Sequence, residues 1–118
     1  MAMSRASVLL LGLVALTACA TPPKGRPPGD PFMVAQSQAV ELGKVLAGIR
    51  LCEGVAWQLP FNEFMNAKRM QGLDDIQASM IAAMVGTGEA QAEPAMLACT
   101  VEAAAQRQET IGEMRPTW

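Results

Sequence analysis

An all-α fold, a small four-helix bundle or compact helical array clamped by one disulfide, follows from three observations on this 118-residue chain. Beyond the first thirty residues, apolar side chains recur at three- and four-residue steps, the period of one helix face. The composition is rich in Ala and Met and has no Tyr, which favours helix over sheet. Two cysteines, Cys52 and Cys99, stand far apart in that helical region with 46 residues between them. This spacing excludes a CxxC redox centre.

The first element is not part of the fold. Arg5 supplies one positive charge, Val8 to Leu16 form a short apolar run, and Leu16-Thr17-Ala18-Cys19 closes it. The run is about half the length that a membrane-spanning helix needs, and its layout is that of an export signal. The tetrapeptide resembles the lipobox of bacterial lipoproteins. That resemblance implies residues 1–18 as a cleaved signal peptide, and Cys19 as the diacylglyceryl-modified and N-acylated first residue of the mature chain. Ala20 stands where an inner-membrane retention signal of the enteric type would have Asp, so the outer membrane, on its periplasmic face, is the expected location. One acyl chain binds a bilayer marginally, whereas two or three hold a protein durably.

Residues 19–30 form the second element, a lipidated tether. Pro22, Pro23, Pro27 and Pro28 with Gly25 and Gly29 exclude helix and central strand. Polyproline extension would give a reach of roughly 30 Å. Lys24 and Arg26 are its cations, available to anionic lipid or simply solvated.

The helical domain spans residues 31–118. Asp30 can cap and Pro31 suits the first helical position, so a long amphipathic helix is expected from Pro31 to Leu59. Its inner face carries Leu42, Val45, Leu46, Ile49, Cys52, Val55, Ala56 and Leu59. Pro60 is expected to end it. A second helix is expected over Phe61 to Gln71, stopping at Gly72. Leu73-Asp74-Asp75 reads as a capped restart for a third helix over Asp75 to Val85, with Ile76, Met80, Ile81 and Met84 inside and Gly86-Thr87-Gly88 as its break. The last helix is expected from Glu89 or Pro94 to Met114, with Leu97, Val101, Ala104, Ala105, Gln108 and Ile111 as its inner stripe. Short connections suit an antiparallel bundle or an orthogonal array.

With Cys19 committed to lipid, Cys52 and Cys99 most simply form a disulfide in an oxidising compartment. The competing assignment is two free or metal-binding thiols, for which no His exists to complete a site. A closed loop of this size corresponds to about 4 kcal/mol of stabilisation in the chain-entropy description.

The chemistry-bearing residues are sparse. No His and, after cleavage, only Ser37 and Ser79 are present, so the chain is expected not to be an enzyme. Asp74-Asp75 is better explained by capping and the helix dipole than as paired catalytic acids. Met80 and Met84 share a helix face, yet Met at this spacing is ordinarily flexible core filling rather than a Cu(I) site. No metal or cofactor is expected. Loss of residues 1–18 leaves eight basic against eleven acidic side chains, so no basic patch invites nucleic acid, and nothing points to a small-molecule substrate.

Trp57, Phe61 and Phe64 straddle Pro60, with Met65 and the Met-rich helix beside them. They form either the aromatic core of the domain or a groove for an apolar segment of a partner. In size, helical class and lipobox the chain resembles the pilotin lipoproteins of secretion systems, which implies an accessory or scaffolding subunit that binds another envelope protein. Two distant cysteines and the Cys52-Glu53 pair are similar to the periplasmic acid chaperones of the HdeA type, which implies holdase activity as the alternative.

Overall fold

The computed structural model describes residues 29–118. The expected signal peptide and nearly all of the expected tether, Cys19 included, lie outside the described residues. Four α-helices occur within them: α1 (Pro31–Glu53), α2 (Gln58–Met70), α3 (Asp75–Ala90) and α4 (Val101–Met114), with 3-10 turns at Gly54–Trp57, Pro94–Leu97 and Arg115–Thr117. The fold is all-α, and no strand occurs among the described residues. No helix among them is long and apolar enough to cross a membrane.

The chain caps its own helices. The Asp30 carboxylate accepts from the Phe32 N–H at 2.8 Å and Pro31 opens α1. Asp74 and Gln77 form a reciprocal capping box at α3, each side chain bonding the other's backbone N–H. Thr100 caps α4 by accepting from Ala103.

Helix α1 is the axis of the domain. Ala35, Ala39, Leu42, Leu46 and Ile49 are wholly buried on it, against Phe64 and Met65 of α2, Ala78, Ile81 and Val85 of α3, and Ile111 of α4. Helix α3 packs most extensively on α1, and glycine makes that closeness possible. A Cβ on Gly88 would collide with the Val40 carbonyl oxygen and lie 3.0 Å from the Gly43 Cα; one on Gly43 would collide with the Val85 carbonyl. Helix α4 runs antiparallel to α1, since Cys52, Gly48 and Gln38 meet Cys99, Arg107 and Thr117 in turn. Cys52 and Cys99 are joined by a disulfide, with Cα atoms 5.3 Å apart.

Four expectations need correction. Helix α1 ends at Glu53, not Leu59, because Gly54 takes φ 61°, a left-handed conformation that breaks the helix. Val55 and Leu59, expected inside, are exposed. Pro60 does not terminate a helix; it is the third residue of α2, within the first turn, where its missing N–H has no intrahelical partner to lose. Helix α3 runs through Gly86-Thr87-Gly88 to Ala90, because the tight crossing on α1 needs glycine at 88 and tertiary contact outweighs its poor helix propensity. The buried face of α3 is accordingly Ala78, Ile81, Val85 and Gly88, while Ile76 and Met80 face outward. Helix α4 starts only at Val101, itself exposed, after an extended stretch at Ala98.

Candidate functional site

The corner between α1 and α2 is built by a break in helicity. Gly54 redirects the chain and the 3-10 turn that follows delivers Trp57, whose ring meets Phe61 one turn later edge-on, with centroids 5.6 Å apart. The Arg50 guanidinium lies 3.8 Å above the Trp57 ring and donates to Glu89 of α3 at 3.0 Å. One Trp57 face is thereby covered by a cation that is itself anchored. Around this pair, Leu51, Val55 and Leu59 stand out from the surface.

Of the four residues singled out at this corner, the structure divides two from two. Phe64 is 0% exposed and Met65 8%, both in the core. Trp57 and Phe61 are half-buried and pack against the margin of that core. Phe64 instead pairs edge-on with Trp118, 5.4 Å away, so the aromatic cluster has a second half that α2 shares with the C-terminal turn.

Two buried cations escaped the sequence pattern. Arg107 is 1% exposed and donates to the carbonyls of Ala98 at 2.8 Å and Met96 at 3.2 Å, with Glu53 3.4 Å from its other nitrogen. It thus fastens the segment before Cys99 to the end of α1, beside the disulfide. Gly48 leaves the space, since a Cβ there would lie 2.8 Å from the Arg107 Cδ. Lys68, also 1% exposed, sets its ammonium 5.4 Å from the Phe64 ring centroid and 3.4 Å from Gln71 Oε1. Burial lowers its pKa from the ordinary value. A charge count cannot reveal either position; the trace they leave is a basic residue one helical turn after apolar ones, Phe64 and Met65 before Lys68, Ala103 and Ala104 before Arg107.

A second concavity, about 390 Å³, lies between α1 and α4. Ser37 and Glu41 form one wall, Glu113 and Met114 the other, with Thr117 and Trp118 at its end. The Gln38 amide donates to the Thr117 carbonyl at 2.8 Å, and Arg115 makes a two-point ion pair with Glu63 at 2.9 and 3.2 Å. These bonds fix the C-terminal turn as the end wall of the groove.

Among the described residues, no three His, Cys, Asp or Glu side chains lie close enough to hold a metal ion. Comparison with known proteins finds no matching family model, no similar curated protein and no similar solved structure.

Proposed function

We propose that this chain is a lipid-anchored envelope protein, held at the periplasmic face of the outer membrane through acylated Cys19, whose helical domain binds or scaffolds another envelope protein. The observation that carries it is Leu16-Thr17-Ala18-Cys19 directly after a short apolar run, a pattern with no use in a folded core and a specific use in lipid attachment. The α1–α2 corner supports the binding half of the reading. Trp57 and Phe61 supply partly exposed aromatic rings, Arg50 supplies an ordered cation, and Leu51, Val55 and Leu59 supply exposed apolar area.

Photocrosslinking from a benzophenone residue at Leu59 or Phe61, in the native envelope at neutral pH, tests this reading. One dominant protein adduct from the membrane-bound chain is expected. A broad set of clients, appearing only under acid stress, would instead identify a holdase, and no adduct at either position would refute binding through this corner.

A further inference from the structure

We infer that the outward face of α3 is the docking surface for a second copy of this chain, with the two α3 helices antiparallel about a twofold axis at Ala83. This face is distinct from the α1–α2 corner, sharing only Arg50 and Leu51 with it, and the pairing does not depend on Cys19 being acylated.

A surface helix ordinarily carries charge on its outward face, and α3 does not. Between Asp75 and Glu89 it has no charged residue. Ile76, Met80, Ala83, Thr87 and Ala90, one stripe at three- and four-residue steps, are all exposed, Ile76 to 76% and Met80 to 48%.

The two ends of this face differ in shape. Bulk lies at the N-terminal half, in Ile76 and Met80. At the C-terminal half Gly86 and Ala90, with Ala47, Leu51 and Leu97, line an open concavity of about 620 Å³ between α1 and α3. Ala83 stands seven residues from Ile76 and seven from Ala90. A twofold axis at Ala83, perpendicular to the helix, therefore sets Ile76 of each copy at the concavity of the other, and Met80 between Ala83 and Thr87 of the second copy. Bulk meets hollow twice, as an isologous contact requires. Parallel pairing would instead set Ile76 against Ile76 and Ala90 against Ala90, leaving both concavities unfilled.

Charge selects the same direction. Arg69 lies 3.7 Å from Asp75 at one end of the face, and Arg50 lies 3.0 Å from Glu89 at the other. Antiparallel pairing brings Asp75 of one copy towards Arg50 of the other and Arg69 towards Glu89, at both ends; parallel pairing would set like charges together. The 16-residue helix is about 24 Å long and roughly 10–12 Å across. One such face with the rim at Leu51 and Leu97 is small beside the roughly 800 Å² per partner of a stable dimer, so the dimer is a reversible one, populated at micromolar concentration and above.

Cysteine crosslinking of the whole chain, read by peptide mass spectrometry, tests both the pairing and its direction. Ala83→Cys should form an 83–83 disulfide between isotopically light and heavy copies. Ile76→Cys mixed with Ala90→Cys should give a 76–90 link, and Ile76→Cys alone should give no 76–76 link. In sedimentation velocity the wild type should pass from dimer to monomer on dilution. Ala83→Arg sets two guanidinium groups against each other at the axis, at an exposed position where Arg is a good helix former, and should stay monomeric with its helical circular dichroism unchanged. Absence of the 83–83 link, a 76–76 link from Ile76→Cys alone, a wild type that is monomeric up to millimolar concentration, or an Ala83→Arg chain that still dimerises would overturn the proposal.

Discussion

Two glycines two residues apart on α3 should respond to alanine with opposite signs. At Gly86 an added Cβ meets nothing within 4 Å. Gly86→Ala therefore keeps only the gain in helix propensity, about 1 kcal/mol. At Gly88 the same methyl strikes the Val40 carbonyl oxygen and the Gly43 Cα. Both are backbone atoms of a 23-residue helix, so no rotamer change can yield, and α1 and α3 must separate along their shared seam. Overpacking of a tight core costs about 1 to 3 kcal/mol, and a rigid obstacle places Gly88→Ala at the upper end. Subtracting the propensity gain leaves a net loss of about 2 kcal/mol. In a domain of this size each kcal/mol moves Tm by about 4–8 °C. Thermal unfolding followed by circular dichroism should accordingly show Gly86→Ala melting about 4–8 °C higher and Gly88→Ala about 8–16 °C lower than wild type. Equal shifts, or a stabilised Gly88→Ala, would refute the glycine-mediated crossing.

Other expectations follow from the core and its buried groups. Phe64→Ala, at a wholly buried position, should cost about 3–5 kcal/mol by urea unfolding, whereas half-buried Phe61→Ala should cost less and lose partner capture beyond what its folded fraction explains. Burial lowers the Lys68 pKa, so between that lowered value and 10.5 the unfolded chain binds more protons than the folded one, and wild-type stability should rise with pH across this window. Lys68→Met should thus be more stable than wild type at pH 7 by urea titration, its advantage narrowing as pH approaches 10.5. The protein taken from the envelope should be two hydrogens lighter than its reduced form by intact mass, and Cys52→Ser with Cys99→Ser should lose about 2–4 kcal/mol of stability.

What the sequence disclosed best was local chemistry. Asp30-Pro31 and Asp74 mark helix starts because capping is settled within three or four residues, and the structure places α1 and α3 there. The pairing of Cys52 with Cys99 was legible because, with Cys19 set aside for the expected lipid, only two thiols remain. What failed were the signals whose meaning depends on distant packing. Pro60 looked like a stop, but the true break is Gly54, and a proline in a first turn disturbs nothing. Gly88 looked like a breaker because its purpose is the backbone of Val40, 48 residues earlier. Periodicity named Ile76 and Met80 as core on size alone, while a close helix seam instead selects Ala78, Val85 and Gly88. Arg107 and Lys68 stayed hidden for the same reason: each is buried by carbonyls or a ring that other elements or the same helix bring to it.

The anchor is the premise on which location and partner class both rest. The direct measurement is mass spectrometry of the N-terminal peptide of protein extracted from the native envelope. The account predicts a chain beginning at Cys19 and carrying a diacylglyceryl thioether with an amide-linked acyl group. A chain that retains residues 1–18, or one whose Cys19 carries no lipid, would contradict it.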